Sequence, residues 1–307
     1  MSIFISVVSY RDTHLEMTLK SAVKNAKYPE ELKFGIVNQD IERNKIDLSF
    51  LPNYSLITMH PKFARGVGFA RSKAMSLYED ETYYCQIDSH TQFAKNWDIN
   101  SIKQLKLAEQ KAHNKKIILS SYPPPYSFEN NKIFIHTKST EEYPVEPVKH
   151  KAFLRINGDW GATRIPFDNL ECGLPEQCNT ILGGYVFASG KIVEEIPYDS
   201  DISFMGEEIC FAMRAWTRGW DIYAPAIPIV YHYYKRDGHH KIWNDQIVRE
   251  NNWEQMQAQS KNKQIKVLCG IETGIFGAGN NRTIKDYENL IGYNFNDIYK
   301  DLTKDVW

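Results

Sequence analysis

The feature that most narrows what this chain can become is the alternation, over its first hundred residues, of short apolar runs with helix-patterned segments. Residues 3–9 carry Ile3, Phe4, Ile5, Val7 and Val8 and read as a strand. Thr13-His14-Leu15-Glu16 then spells a capping box, opening a helix with Leu15, Leu19, Ala22, Val23 and Ala26 on one face. Residues 33–38 and 55–59 read as the second and third strands, 66–78 as a helix with Ala70, Ala74 and Leu77 inward, and 83–87 as a fourth strand. Strands separated by helices form a largely parallel sheet with helices on both faces, so the expected class is α/β. In such sheets ligands bind at the carboxyl ends of the strands. Three polar clusters fall there: Ser9-Tyr10-Arg11-Asp12, Asn38-Gln39-Asp40 and Asp88-Ser89-His90.

Beyond a helix at 97–112 and a strand at 116–121 the pattern loosens into Tyr122-Pro123-Pro124-Pro125-Tyr126 and a segment running to about residue 180. Phe134, Phe153, Trp160 and Phe167 are too many aromatics for a solvated tether, so short strands and ordered loops that shape a cleft are expected. Regular structure resumes at 181–189. It continues in a short helix through Glu195 and a helix at 206–217 with Ile209, Ala212, Met213 and Trp216 helically spaced, stopped by Arg218-Gly219. Strands at 220–224 and 229–234 follow, then a mixed tail with a final helix at 284–291. There is no internal repeat.

Composition removes several classes. With 37 Lys+Arg against 38 Asp+Glu there is no global field to hold a polyanion, so a nucleic-acid partner is not indicated. Met1 leads straight into the first apolar run without a basic, cleavable leader, and no stretch reaches the ~20 apolar residues of a bilayer span. Five cysteines without a CxxC pair, two of them (Cys85 and Cys210) in apolar patterns, suit buried free thiols in a reducing, cytoplasmic setting better than a Cys172–Cys178 bridge.

Asp88 and His90, two residues apart on an extended segment, point to one side and can chelate a divalent ion while leaving positions for phosphate oxygens; the mixed O/N set suits Mn²⁺ better than Mg²⁺. Taken singly, Asp-Ser after a strand is also a turn signal. Gly183-Gly184, read as lying within a strand, implies close approach of the backbone to a sugar or a packed helix. Glu207 and Glu208 open a helix, where its dipole stabilises carboxylates regardless of function. His232, between Tyr231 and Tyr233, reads alone as a structural histidine.

Together these residues resemble the cytoplasmic GlcNAc-transferases that modify polypeptide hydroxyls, including hydroxyproline. The likeness runs from Ile5-Ser6-Val7-Val8-Ser9-Tyr10-Arg11-Asp12 through Gly66-Val67-Gly68-Phe69-Ala70-Arg71, Gln86-Ile87-Asp88-Ser89-His90, Gly183-Gly184 and Gly206-Glu207-Glu208. It ends at Phe276-Gly277-Ala278-Gly279, Arg282-Thr283 and Asp286-Tyr287-Glu288. The metal triplet and the Gly-Glu motif also resemble the mucin-type polypeptide GalNAc-transferases. Where those have Gly-Gly-Glu-Asn, this chain has Met205-Gly206-Glu207-Glu208, a departure that bears on donor-sugar identity. The resemblance implies a GT-A (Rossmann-like) fold with an inserted acceptor-side region. Residues 1–240 would be the catalytic domain (1–120 nucleotide-binding, 121–240 acceptor-side) and 241–307 an extension packed on it. It implies Asp88, His90 and His232 on Mn²⁺ (or Mg²⁺), with Ser89 beside them, and Ser9, Arg11, Asn38, Gln39 and Asp40 around the uridine of a UDP-sugar. Arg71, Gly183 and Gly184 would lie near the donor sugar or diphosphate, with retention of anomeric configuration.

On that reading Glu207 holds donor hydroxyls or orients the acceptor, and Glu208 is the nearest carboxylate to an oxocarbenium-like centre. The aromatics Tyr122, Tyr126, Phe153 and Trp160 either form an acceptor platform or pack a satellite core. A peptide hydroxyl follows from resemblance alone; the residues themselves accommodate a glycan, a lipid-linked sugar or a hydroxymethylated DNA base equally well. Two other classes share some of these features. A nucleotidyltransferase or phosphohydrolase would want a carboxylate cluster for two metals, which is missing, and a non-catalytic carbohydrate-binding protein would not turn over a donor.

Overall fold

The computed structural model describes residues 1–41, 46–130, 132–136, 139, 145–235, 238–250 and 253–303; parts of the expected cleft segment at 131, 137–138 and 140–144 lie outside them. Eight strands form the central sheet: β1 (Ile3–Tyr10), β2 (Leu32–Gln39), β3 (Tyr54–Met59), β4 (Tyr83–Asp88), β5 (Ile117–Ser120), β6 (Glu176–Cys178), β7 (Tyr185–Ser189) and β8 (Asp221–Ala224). Their spatial order is β6-β8-β5-β7-β4-β1-β2-β3. Strands β3, β2, β1 and β4 run parallel, as do β5 and β8, whereas β7 lies antiparallel between β4 and β5, and β6 antiparallel at the edge.

The apolar runs are continuous because both faces are covered, and alternate side chains serve different cores. Phe4, Tyr84, Ile118 and Val186 face one core, while Ile3, Ile5, Cys85, Ile117 and Phe187 face the other. The second core is closed by helices α1 (Leu15–Asn25) and α3 (Trp97–Ala112), through Leu15, Leu19, Ala22, Trp97 and Leu105. The Trp97 indole N–H donates to the Ala22 carbonyl at 2.9 Å, and truncating a buried indole of this kind costs about 3–5 kcal/mol.

On the opposite face, α2 (Val67–Met75) covers Val8 and Val37 with Ala70 and Ala74. Beside it lie α4 (Glu207–Thr217), α5 (Trp253–Leu268), α6 (Ile284–Ile291) and α7 (Phe295–Thr303), which contribute Phe211, Leu268, Tyr287 and Phe295 to the first core. A hairpin of Val148–Leu154 and Trp160–Pro166 is fastened to α7, where Trp160 donates its indole N–H to the Tyr299 hydroxyl at 2.8 Å.

Several expectations need correction. The capping box at Thr13 does not form: His14 is the N-cap and its side chain makes no capping bond, Asp12 accepts from the His14 N–H at 2.9 Å, and Glu16 pairs with Lys20 instead. The nearer carboxylate prevails because a charged acceptor makes the stronger bond. Gly183-Gly184 lies in a turn before β7, not within a strand. The Gly183 N–H goes to Glu208 Oε1 at 2.6 Å, and its carbonyl accepts from Arg71 and Gln86 at 3.0 and 2.9 Å, so side chains take the bonds a ladder would use. Helix 284–291 is present but not final, and α5 and α7 were missed; α5 buries a stripe that includes Ser260 and Gln264 beside Ile265 and Leu268, too polar to announce itself. Of the aromatics read as platform or satellite core, Tyr126 and Trp160 are buried, in keeping with the second reading, while Phe153 is 47% exposed. All five cysteines are free, with Cys85 and Cys210 buried as expected.

Candidate active site

The parallel register decides what meets what. Val8 lies beside Asp88, Ser9 beside Asn38 and Tyr10 beside Gln39, so three carboxyl ends finish level. Because β7 runs the other way, its start at Tyr185 lies opposite Ile87, and the Gly183-Gly184 turn enters at the same edge. The short antiparallel pair Thr91–Phe93 with Val230–His232 sets His232 across from Thr91. Here a cavity of about 340 Å³ opens, lined among others by Ser9, Gln39, Arg71, Asp88, His90 and Glu207.

Asp88, His90 and His232 each offer a ligand atom, and these lie within 4.8 Å of one another. His232 Nε2 is 3.2 Å from Asp88 Oδ2, across 144 residues of chain. Burial alone would raise the Asp88 carboxyl, but the His232 hydrogen bond and the neighbouring charges of Arg71 and His90 hold it well below the usual carboxylate range.

Arg71, 3% exposed, is the hub. Its guanidinium reaches Asp88 Oδ1 at 3.3 Å, Glu207 Oε1 at 3.2 Å and the Tyr198 hydroxyl at 3.3 Å. It occupies the space a Cβ at residue 183 would fill, 2.4 Å from that atom's position, which explains the glycine there. Glu207 and Glu208 are both pushed above the usual carboxylate range, first by burial; mutual repulsion adds to this at Glu207, while the Gly183 N–H and Arg71 oppose it at Glu208. One guanidinium thus faces the carboxyls of Asp88, Glu207 and Glu208.

A divalent ion fits this donor set. Mixed oxygen and nitrogen ligands suit a first-row cation, and His232 Nδ1 is buried with no partner, a ring whose hydrogen bonding is incomplete as it stands.

The remaining predicted residues are placed as follows. Ser9 and Gln39 line the cavity, with Ser9 Oγ and Gln39 Oε1 buried and unpartnered. Ser89 also lines it but turns its hydroxyl to Asp12 Oδ2 at 2.8 Å. Gly183, Gly184 and Glu208 lie on the wall. Arg11 pairs with Asp245 at 2.5 Å instead of lining the cavity, Asn38 is buried within β2, and Asp40 follows the end of β2. Sequence reasoning passed over Asp12, whose Oδ2 is 2.7 Å from His90 Nδ1, and the wall of Phe204, Lys241 and Trp243. Asp12 stood in a flagged polar cluster, so its signal was present; Trp243 gave none until folding set it 4.8 Å from Phe204.

The structure resembles that of GalNAc-T7 with UDP, GalNAc and Mn²⁺, with a TM-score of 0.58 at 15% identity over 100% of this chain, which spans 57% of that one. S. aureus TarS, residues 1–349, aligns over 85% of this chain and 71% of its own with a TM-score of 0.47 at 12% identity. Its complex with UDP gives 0.46 at 12% over 87% and 72%. No curated protein matches by sequence. The fold is GT-A, with a mostly parallel sheet between helical layers. The model of the Glycosyltransferase (GlcNAc) family matches residues 2–51 and 47–297, nearly the whole chain, and the chain therefore belongs to that family of nucleotide-sugar glycosyltransferases.

Proposed function

We propose that this enzyme is a metal-dependent, retaining transferase that moves GlcNAc from UDP-GlcNAc to the hydroxyl of a polypeptide. The observation that carries the proposal is the convergence of Asp88 and His90 from the first half of the catalytic region and His232 from the second, beside a buried arginine at the carboxyl edge of the sheet. GalNAc-T7, which shares the fold, was solved with UDP and Mn²⁺. Asp88, His90 and His232 would hold the cation, Mn²⁺ before Mg²⁺, whose chemistry is Lewis-acid neutralisation of the departing diphosphate. Ser9 and Gln39 offer unpartnered oxygens to a base or ribose, with Arg11, Asn38 and Asp40 completing that end of the site. Arg71, already desolvated, stabilises negative charge without reorganising. Glu207 orients donor or acceptor hydroxyls, while Glu208 is fixed by the Gly183 N–H at 2.6 Å. With both carboxylates engaged, same-face transfer without a protein nucleophile is favoured, and this gives retention.

Residues 1–240 form the catalytic unit and 241–307 an extension that also shapes the cavity through Lys241 and Trp243. The free thiols favour a cytoplasmic setting, and no described helix is long and apolar enough to cross a membrane. The deciding experiment is a thermal-shift series of UDP-sugars with Mn²⁺. A ligand present at a hundred times its Kd stabilises the folded state by about 2.7 kcal/mol, and UDP-GlcNAc should give the largest rise. A flat response to every UDP-sugar defeats the proposal.

A further inference from the structure

Asp12 lies just past the end of β1, and its side chain is 1% exposed. Oδ1 accepts from the His14 N–H at 2.9 Å, while Oδ2 accepts from the Ser89 hydroxyl at 2.8 Å and contacts His90 Nδ1 at 2.7 Å. A carboxylate can only accept hydrogen bonds, so the proton of that last contact belongs to the imidazole. A neutral ring carrying its proton on Nδ1 presents the lone pair of Nε2. We infer that Asp12 is the positioning residue of the metal centre: it fixes the tautomer and orientation of His90 and ties that ligand to the end of β1 and the start of α1.

Three features separate this role from helix capping. The contact to His90 is the shortest of the three, and the oxygen that makes it is not the one that caps the helix. Both residues of the pair are buried, His90 at 5% exposure, so water does not compete for the ring. Thr18, one turn into α1, repeats the link by donating to the Ser89 carbonyl at 2.8 Å and accepting from the Thr91 N–H at 2.9 Å. The metal-site loop is therefore held to α1 from both sides of His90. Carboxylates behind metal-binding histidines generally contribute about 10- to 100-fold in affinity.

The inference rests on the proposed metal dependence, and the test keeps the two apart. Mn²⁺ binding is measured directly by electron paramagnetic resonance, without donor, for wild type, Asp12→Asn and His90→Ala, with circular dichroism as the check of folding. Asp12→Asn should bind Mn²⁺ about 10- to 100-fold more weakly, and its turnover of UDP-GlcNAc should recover when Mn²⁺ is raised, a rescue that a merely structural defect would not show. Equal affinity in folded wild type and Asp12→Asn overturns the inference alone. No Mn²⁺ binding by wild type overturns the metal reading with it. Should Asp12→Asn not fold, Ser89→Ala decides: affinity close to wild type supports the carboxylate as the element that fixes the ring, whereas a loss as large as that of His90→Ala assigns the role to the serine and overturns the inference.

Discussion

The guanidiniums of Arg71 and Arg218 are both ringed by hydrogen-bond acceptors, yet they are solvated by opposite chemistry. Arg218 donates to four backbone carbonyls, those of Arg214, Gly274, Ile275 and Gly277, at 2.8–3.2 Å. Burial lowers its basicity, with Glu195 only partly opposing this. Arg71 has Asp88 and Glu207 at 3.2–3.3 Å, with Glu208 adding to the field, and its proton is held more tightly than usual despite burial. Neutral carbonyls close the account of one arginine and leave a joint between α4 and the tail. The other region gathers carboxyls around its arginine at the wall of a cavity that a ligand can enter. The half-buried cation saturated by peptide groups is thus part of the architecture, and the buried one ringed by carboxyls stands at the cavity.

The comparison breaks most visibly at the proposed metal ligands. Asp88→Asn and His232→Ala should each cut sugar transfer by about 100- to 1000-fold or more, with little change in melting temperature because the cavity edge is already open to solvent. Full activity in EDTA, or a collapse of the fold in either variant, would erase the distinction.

Next comes a histidine on the architectural side. His150 is buried, its Nε2 donates to the Thr180 carbonyl at 2.8 Å, and burial lowers its pKa to about 4. The unfolded chain therefore binds a proton near pH 6.5 that the folded chain refuses, so stability is complete above that pH and declines as pH falls toward 4. The effect is on the order of 3 kcal/mol. Denaturant titrations at pH 7 and pH 4.5 should show a shallower pH slope for His150→Gln than for wild type; an unchanged slope refutes it.

The smallest effect sharpens the contrast. Arg218→Ala strands carbonyls that are only partly buried and should cost about 2 kcal/mol of stability, read as a lower urea midpoint, while kcat at saturating donor and Mn²⁺ stays within about twofold. A large fall in kcat with unchanged stability would place Arg218 with Arg71.

What could be read from sequence follows the same line. Strand ends were legible because a parallel sheet exposes its carboxyl edge whatever the loops do, and Asp88, His90, Arg71 and Glu207 all stand at or beside that edge. The helices at 97–112 and 284–291 showed their ends because their apolar positions are helically spaced. α5 did not, since Ser260 and Gln264 occupy part of its buried stripe. The Thr13 capping box failed because a competing carboxylate stood one residue upstream, and local motifs do not rank their rivals. For Trp160 and Tyr126 platform and satellite core stayed open, because the outcome depends on distant contacts such as that of Trp160 with Tyr299, 139 residues away. The tail motif Phe276-Gly277-Ala278-Gly279, part of the original resemblance, supports α4: the Gly279 N–H donates to the Thr217 hydroxyl at 2.8 Å and the Gly277 carbonyl accepts from Arg218.

The position of β7 also dictates an order of assembly. Among the described strands it alone bridges β4 and β5, and β8, the other partner of β5, follows it in the chain, so until residues 185–189 have been synthesised and inserted the nascent sheet stops at a raw β4 edge and β5 has no partner. Ribosome-stalled fragments ending before that point should recruit chaperones, and no amino-terminal fragment, however native its β1 to β4 layer, would carry a working catalytic centre.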